Sequence, residues 1–204
     1  ARGPGSPVRV SGIRALLGGP LGLLFGISAV SAFIQRVFLT FEPIVMAEAG
    51  KTETAGAIAL SLYLGAQAIG TLTGGWLTDR VDRGRLLVLL TLLGIPAHFL
   101  AFWFPAGEAV SLVFVLAAGA LNMAVLPPIV VIAQEVAPGR AARNSGIVMG
   151  LAWAAGSVAV LGVGMLGDVV GPRNAALAAT PLGLVAAALA LHRGLDAHRR
   201  PMGP

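Results

Sequence analysis

The stretch that decides the architecture of this 204-residue chain reads Gly75-Trp76-Leu77-Thr78-Asp79-Arg80-Val81-Asp82-Arg83-Gly84-Arg85. It lies between two apolar runs, each about as long as the roughly 20 residues that a helix needs to cross a bilayer. The charged residues are confined to this short turn, and the runs on either side carry almost none. The arrangement predicts two antiparallel membrane-spanning helices joined by a polar loop.

The composition extends this prediction to the whole chain. Hydrophobic residues make up 56% of it and charged residues only 11%, whereas soluble domains carry about 25% charged residues. A soluble enzyme is thereby excluded. The net charge of +5 would favour a nucleic-acid partner in a soluble protein, but here the charges are sorted by position, which favours a membrane. Because the chain has no cysteine, no disulfide, thiolate metal site or thiol nucleophile is expected.

Six apolar runs of membrane-spanning length are present, so the predicted fold class is all-α and polytopic. Each run is bounded by charge, proline or glycine, and the connections are so short that neighbouring helices must be antiparallel. The first helix is expected to end at Glu42-Pro43, and Pro127-Pro128 are expected to break the fourth. The predicted spans are Leu16–Thr40, Thr54–Leu77, Leu86–Phe104, Ala109–Ala133, Ser145–Leu166 and Asn174–Leu191.

The cationic residues are distributed unequally between the two ends of these spans. Because cations accumulate on the cytoplasmic side of short-looped membrane proteins, the richer end is predicted to be cytoplasmic, with both termini. Its members are Arg2, Arg9, Arg14, Arg80, Arg83, Arg85, Arg140, Arg143, Arg193, Arg199 and Arg200. The outer end is predicted to hold Lys51, Arg173, Glu42, Glu48, Glu53 and Glu108. Residues 1–14 are then a basic cytoplasmic segment, 15–192 the bundle and 193–204 a cytoplasmic tail.

The turn at Asp79 resembles the loop signature G-x-L-[AST]-D-R-x-G-R-[RK] of major facilitator superfamily transporters. Asp82 stands in place of the signature's glycine, Gly84 replaces a basic residue, and Arg85 comes one position late. A degenerate copy is usual for the second half of that family, so the resemblance implies the C-terminal half of a twelve-helix transporter. Its N-terminal half would be the partner, and the chain, which opens on alanine, is expected to be a segment of a longer one. The matching residues are Gly75, Leu77, Thr78, Asp79, Arg80 and Arg83.

A second copy of this pattern follows the fifth span. It begins 89 residues further along, at position 164 instead of 75, and repeats G-x-L-x-D-x-x-G-x-R. Three spans, an odd number, separate the copies, so they are predicted to face opposite sides of the membrane. This predicts a 3+3 inverted repeat, in which two triplets of helices are related by inversion. The second copy reads Gly164-Met165-Leu166-Gly167-Asp168-Val169-Val170-Gly171-Pro172-Arg173.

A third stretch, at residues 133–140 and 144–152, resembles the loop between the tenth and eleventh helices of fosmidomycin-resistance-type efflux proteins in the same superfamily. The resemblance implies a secondary transporter of the bacterial inner membrane that exports small molecules or drugs by ion-coupled alternating access, with protons as a candidate ion. The run Gly50-Lys51-Thr52 lacks the upstream glycine of a phosphate-binding loop, so ATP is not expected as the energy source. No cofactor, metal or nucleic acid is expected.

Polar side chains inside the spans are the candidates for the substrate path, because they are costly in lipid unless they have a partner or a function. Arg36 is the strongest, since a guanidinium can hold an anionic substrate by two hydrogen bonds; its alternative is to extend to the outer headgroups. Gly70 and Gly74 favour close helix packing, and Asn122 either contacts substrate or joins two helices. The substrate-path candidates are Arg36, Gln35, Tyr63, Gln67 and Asn122.

The Asp79 turn is the candidate gating loop. The resemblance implies that Asp79 latches this half to the other in the outward-open state, near the positive end of a neighbouring helix. The alternative is a solvated charge cluster that only fixes topology, in which Asp82 competes for the arginines. A gating role for Gln134 and Glu135 rests on the resemblance alone. The gating-loop candidates are Gly75, Asp79, Arg80, Arg83 and Arg85.

Two other functions are compatible with a six-helix membrane chain. One is a unit that homodimerises or acts as a scaffold. The other is an intramembrane enzyme, in which a serine and a histidine would have to meet within the membrane. His98, which is the only histidine in a predicted span, is expected to be structural. The spans contain no carboxylate away from their ends, so an acid for proton coupling is expected in the other half.

Overall fold

A computed structural model describes residues 19–198, and every regular element in that range is helical. Six of the helices are long and apolar enough to cross a membrane, which confirms the predicted fold class. Residues 1–18 and 199–204 lie outside the described part, and with them the predicted basic segment and the end of the tail. The six helices are α1 Pro20–Glu48, α2 Glu53–Thr78, α3 Arg83–Trp103, α4 Ala109–Val136, α5 Ala141–Val170 and α6 Pro172–Ala190.

The turns between the helices follow from local sequence chemistry. The side chains of Thr52 and Asp82 accept hydrogen bonds from the backbone N–H groups three residues later, at 3.2 and 2.8 Å, and so begin α2 and α3. Pro172 begins α6, at a position where a helix needs no N–H. Positive φ angles, which favour glycine, occur in the turns at Gly50, Gly107 and Gly171.

The first helix differs from the prediction, because α1 passes through Pro43 and ends at Glu48 instead of near Thr40. A proline removes one backbone N–H and leaves one carbonyl without its helical partner, but packing from neighbouring helices makes this tolerable in a membrane helix. The longer helix places Glu42 inside the bundle, where it is only 1% exposed. The prediction that the first span ends before Glu42 is therefore wrong, and so is the prediction that the spans contain no carboxylate away from their ends.

The helices of the second half of the chain are interrupted. α4 breaks at Val125, next to Pro127-Pro128 as predicted, because neither proline can donate a backbone hydrogen bond. A π-helical turn at Ile147–Leu151 interrupts α5, and a 3-10 turn at Thr180–Leu182 interrupts α6. The α-helical parts are Ala109–Ala124, Leu126–Val136, Ala141–Gly146, Ala152–Val170, Pro172–Ala179 and Gly183–Ala190.

The two helix triplets, α1–α3 and α4–α6, pack in matching pairs. α2 packs on α4 as α5 packs on α1, and α3 packs on α4 as α6 packs on α1. Each pair maps onto the other when the triplets are exchanged, as a 3+3 inverted repeat requires. The two aspartate turns accordingly lie at opposite ends of the bundle. Arg83, beside Asp79, pairs with Glu135 at the end of α4, whereas Arg173, beside Asp168, bonds to the end of α3.

Glycines allow the paired helices to approach closely. A Cβ atom on Gly70 would lie 2.0 Å from the carbonyl oxygen of Ala120, in the α2–α4 pair. A Cβ atom on Gly156 would lie 2.4 Å from the carbonyl oxygen of Ala29, in the α1–α5 pair. Both distances are far shorter than van der Waals contact, so a larger residue would force the helices apart. The close packing predicted for Gly70 is thus found, and it has a counterpart in the second triplet.

Candidate functional site

Two of the predicted substrate-path residues meet in the interior of the first triplet. The side-chain Nε2 of Gln35 on α1 donates a hydrogen bond to Oε1 of Gln67 on α2, at 3.0 Å. Both residues are buried, with 5% and 7% of their surface exposed. The second polar atom of each amide, Oε1 of Gln35 and Nε2 of Gln67, has no hydrogen-bond partner among residues 19–198. The pair therefore offers one free acceptor and one free donor, which a further polar group could satisfy.

Tyr63, one helical turn before Gln67, forms a second buried polar pair. Its hydroxyl lies 3.1 Å from Nε2 of His98 on α3, and Nδ1 of His98 lies 2.8 Å from the carbonyl oxygen of Gly94. Because a carbonyl only accepts, Nδ1 carries the proton and Nε2 accepts from the Tyr63 hydroxyl. Phe38 stacks on the Tyr63 ring, with ring centroids 4.1 Å apart. The pair joins α2 to α3, which fits the structural role predicted for His98.

Asn122 lies in α4, just before the helix breaks. Its Nδ2 donates to the backbone carbonyl of Ser31 at 3.1 Å, so it joins α4 to α1. It also lines a cavity of about 30 Å³ together with Thr91, His98 and Thr180. A cavity of that size holds about one or two water molecules and is too small for a substrate. The contact favours the second of the two predicted roles of Asn122, the joining of two helices.

Arg36 is not brought to this cluster. Gln35 faces the interior of the bundle, whereas Arg36, next to it, lies on the exposed face of α1 with Thr40 and Ile44. Within residues 19–198, no hydrogen bond or ion pair joins its guanidinium to another residue. An unpaired guanidinium on a membrane helix requires water, an anion or a lipid headgroup. The substrate role of Arg36 and its alternative of reaching the headgroups both stay predictions.

A partly buried ion pair fixes the candidate gating loop at the end of the bundle that carries Asp79, which we name the Asp79 end. Nη1 of Arg83 lies 2.6 Å from Oε1 of Glu135, and the two side chains are 7% and 22% exposed. Nε of Arg83 also donates to the backbone carbonyl of Thr78 at 3.3 Å. The loop between α2 and α3 is therefore tied to the end of α4. Sequence reasoning did not predict this partner, because it depends on how the helices pack.

The other gating-loop candidates lie at the surface. Asp79 ends α2, and its exposed carboxylate has no side-chain partner among the described residues. Arg80 bends back along α2, where its guanidinium lies over the Trp76 ring, 4.2 Å from the centroid. Arg85 is exposed. A Cβ atom added to Gly75 would have no neighbouring helix or side chain of the described residues within 4 Å. Because the Asp82 side chain caps α3, its carboxylate is engaged there and does not bind the arginine side chains.

The opposite end of the bundle, the Lys51 end, carries a second set of charges. Lys51 Nζ lies 3.2 Å from Glu108 Oε1, which links the α1–α2 turn to the start of α4. The guanidinium of Arg173 donates to the backbone carbonyls of Phe102 and Trp103 and so closes the end of α3. These residues border a cleft of about 440 Å³, the Lys51-end cleft, which is lined by Val45, Glu48, Ala49, Lys51, Pro105, Ala106, Glu108 and Arg173.

Sequence reasoning missed the buried carboxylate of Glu42. Its Oε1 atom is buried and has no hydrogen-bond partner in the part of the chain that the structure describes. A signal for this position existed, because Glu42 follows Phe38 by four residues and Gln35 by seven and therefore shares their helical face. Among the described residues, no group of three or more histidines and acidic residues could hold a metal ion.

The sequence pattern described as Major Facilitator Superfamily matches residues 24–202. The "Uncharacterized MFS-type transporter YfnC" of Bacillus subtilis (strain 168) is 34% identical over 122 residues, which cover 58% of this chain and 29% of that protein.

Two crystal structures of a POT family transporter, one with a thioalcohol-conjugated peptide and one with 5-aminolevulinic acid, share the fold. Each has a TM-score of 0.61 and 22% sequence identity, and the match covers 89% of this chain and 38% of that one. At this identity the likeness concerns the fold alone. The chain spans well under half the length of the relatives that it matches.

Proposed function

The chain belongs to the Major Facilitator Superfamily, and from this premise we propose that it forms the C-terminal six-helix half of a secondary active transporter that exports small molecules. Membership makes it an integral membrane transporter and not an enzyme, which sets aside the intramembrane-enzyme alternative. The proposed cargo is drug-like, following the resemblance to fosmidomycin-resistance-type efflux proteins. The proposed setting is a bacterial inner membrane, with export driven by antiport of protons.

The observation that carries this proposal is the matching of helix pairs between the two triplets. Inverted repeats of this kind let one group of helices rock against another, so that a central site opens to alternate sides of the membrane. Here close contacts join the triplets at Gly70, Gly74 and Gly119 between α2 and α4, and at Gly156 between α1 and α5. Close contacts between small residues favour sliding, because no large side chains interlock there.

The proposed substrate path begins at Arg36 and continues to the Gln35–Gln67 pair. Arg36 has no partner among the described residues, and on the exposed face of α1 it would be turned toward the N-terminal half. The amide pair behind it has one free donor and one free acceptor. Together these groups could bind an anionic end and a neighbouring polar group of the same molecule. Tyr63 and Asn122, which have partners within the bundle, would shape the path instead of binding cargo directly.

Direct binding measurements test this path. The full-length transporter, reconstituted in liposomes, would be given fosmidomycin, an anionic phosphonate, as the probe. We expect Arg36→Ala to raise the Kd about tenfold, since loss of one charge-assisted contact is worth about 1.4 kcal/mol. Gln67→Leu should raise it by a smaller factor. Thr40→Ala, on the same exposed face as Arg36, is the matched control. Unchanged affinity in both Arg36→Ala and Gln67→Leu would remove the proposed path.

The gating proposal places the Asp79 end in the cytoplasm, with both termini. Arg83 and Glu135 would hold the loop in place while the free Asp79 carboxylate binds a helix end of the N-terminal half in the outward-open state.

The alternative, a chain that homodimerises or acts as a scaffold, makes a different prediction. Such a chain would form a stable pair in detergent and, as a pore, would move substrate without a second six-helix half.

A further inference from the structure

The buried carboxylate of Glu42 stands out from the other acidic groups whose side chains the structure describes. Asp79, Asp168, Glu48, Glu53 and Glu108 are exposed. Asp82 caps a helix, and Glu135 is paired with Arg83. Glu42 alone is both almost fully buried, at 1% exposure, and without an ion pair or a hydrogen bond in that part of the chain. A carboxylate anion in such a position is costly, so its presence requires an explanation.

The surroundings of Glu42 form two layers along α1. One turn toward the middle of the membrane, Phe38 contacts the ring of Phe102, with centroids 5.4 Å apart, and stacks on Tyr63. Three residues in the other direction, Val45 lines the Lys51-end cleft. Glu42 therefore lies between a packed aromatic layer and a cleft with room for many water molecules, about one helical turn from each.

The charged and titratable groups of the neighbouring elements already have partners or face solvent. Tyr63 and His98 bond to each other, Lys51 pairs with Glu108, and Arg173 bonds to backbone carbonyls. Asp168 and Glu48 are exposed. α4 carries only Asn122, which is not titratable, near the middle of the membrane. The charged and titratable side chains on the elements around α1 are Tyr63, His98, Glu108, Asp168 and Arg173, with Lys51 and Glu48 at the cleft.

We propose that Glu42 is a proton-binding site that exchanges with water in the Lys51-end cleft, and that its charge state biases the packing of α1 against α2 and α3. The idea rests on the proposed ion-coupled transport and gives the coupling proton a place in this half. In the binding step, a hydrated proton from the cleft adds to a carboxylate oxygen of Glu42 and leaves water behind. The neutral carboxyl group suits the packed position, because it carries no charge to desolvate.

Release of the proton reverses this step. The proton returns to water in the cleft and the carboxylate becomes an anion, which must then gain water or a cationic partner. It can gain either only if the part of α1 around Pro43 moves toward the cleft, where Lys51 and Arg173 lie. Pro43 cannot donate a hydrogen bond to the carbonyl of Leu39, one turn earlier, so the turn of α1 that contains Glu42 is the easiest to displace. Charge at Glu42 is thereby converted into helix movement.

Infrared difference spectroscopy of the full-length protein in lipid tests the site without any substrate. When the pH is raised, we expect loss of a carbonyl-stretch band that belongs to a protonated carboxyl group. That band should be absent in Glu42→Gln, a substitution of nearly the same shape, and present in the matched control Glu48→Gln, on the same helix. Should Glu42→Gln fail to fold, Glu42→Asp should shift the band. A band that persists unshifted in either Glu42 variant overturns the proposal.

Movement of α1 is tested by cysteine labelling in a background free of other cysteines. Because the thiolate is the reacting species, labelling of any cysteine becomes faster as the pH rises. For a cysteine at Thr40, which is exposed on α1, this rise should be several-fold larger with Glu42 present than in Glu42→Gln. Equal pH dependence with and without Glu42 would overturn the proposed link between charge and packing. Neither readout requires transport. The binding assay in liposomes could therefore fail while the infrared band of Glu42 still titrates. That result would count against the proposed cargo path and not against the proton site.

Discussion

The two helix triplets pack alike, but they use polar side chains differently. In α1–α3 two pairs of buried polar side chains bond to one another, Gln35–Gln67 and Tyr63–His98, whereas the buried hydroxyls of the same triplet donate to backbone carbonyls. In α4–α6 the buried polar side chains Ser111, Asn144 and Thr180 each donate to a backbone carbonyl. The three buried side-chain atoms without a partner in the described residues all belong to α1 or α2. Inversion therefore preserves the packing pairs. The buried pairs of polar side chains and the buried polar atoms without a partner in the described residues lie in the first triplet.

The two triplets also differ in the continuity of their helices, and here the second triplet is the less regular one. α1 and α3 continue unbroken through Pro43 and Pro96, whereas α4 breaks beside Pro127-Pro128 and α6 changes to a 3-10 turn at Pro181. One proline removes one hydrogen bond, and tight packing on both sides can hold such a helix straight; two adjacent prolines remove two. The first triplet thus keeps continuous helices, with Pro43 as the weak point of α1, whereas the helices of the second triplet are interrupted.

The largest predicted effect concerns the contact that ties the two triplets together at the Asp79 end. We expect Arg83→Ala to lower the free energy of unfolding by about 3 kcal/mol, because it leaves Glu135 partly buried without its partner. Thermal unfolding of the full-length protein in detergent would measure it. Arg85→Ala, which removes an exposed arginine from the same loop, should change stability little. Equal effects of the two substitutions would show that the ion pair does not join the triplets.

The close contacts at Gly70 and Gly156 should contribute similarly to stability if the inverted repeat equalises the two helix pairs. Gly70→Ala and Gly156→Ala each place a methyl group against a backbone carbonyl oxygen, so each should cost about 2 kcal/mol of stability. The control is Gly65→Ala, where nothing lies within 4 Å of the added carbon and the helix should gain about 0.5–1 kcal/mol. The same unfolding measurement applies. A loss at only one of the two interfaces would restrict the close contact to that helix pair.

Most of the fold could be predicted from the sequence, because run length and flanking charge determine a membrane helix before any tertiary contact forms. The predicted second span, Thr54–Leu77, differs from α2 by one residue at each end. The end of α1 could not be predicted in this way. Pro43 breaks a helix in water, but within the bundle the packing around Phe41 and Val45 keeps the helix intact beyond it.

The candidate site was predicted only in part. Gln35 and Gln67 were selected as polar residues within spans, and they are in contact. Their pairing could not be predicted, because it depends on how α1 turns about its axis against α2. The same rotation places Arg36, the strongest sequence candidate, on the outside and Glu42 on the inside. A one-residue step along a helix turns the side chain by about 100°, so adjacent polar residues can have opposite environments.

The smallest predicted effect tests whether the first triplet holds its polar pair for stability or for binding. Gln35→Leu alone leaves Gln67 with neither amide atom partnered, and Gln67→Leu does the same to Gln35, so each single variant should be less stable. The double variant buries two apolar side chains of similar size and should recover part of that loss. Thermal unfolding of all four proteins gives the coupling energy, which for hydrogen bonds between membrane helices averages about 0.6 kcal/mol. If the double variant is as stable as the original protein but does not bind fosmidomycin in liposomes, the pair is kept for its free donor and acceptor. One that binds normally would mean that the pair serves only to join α1 to α2.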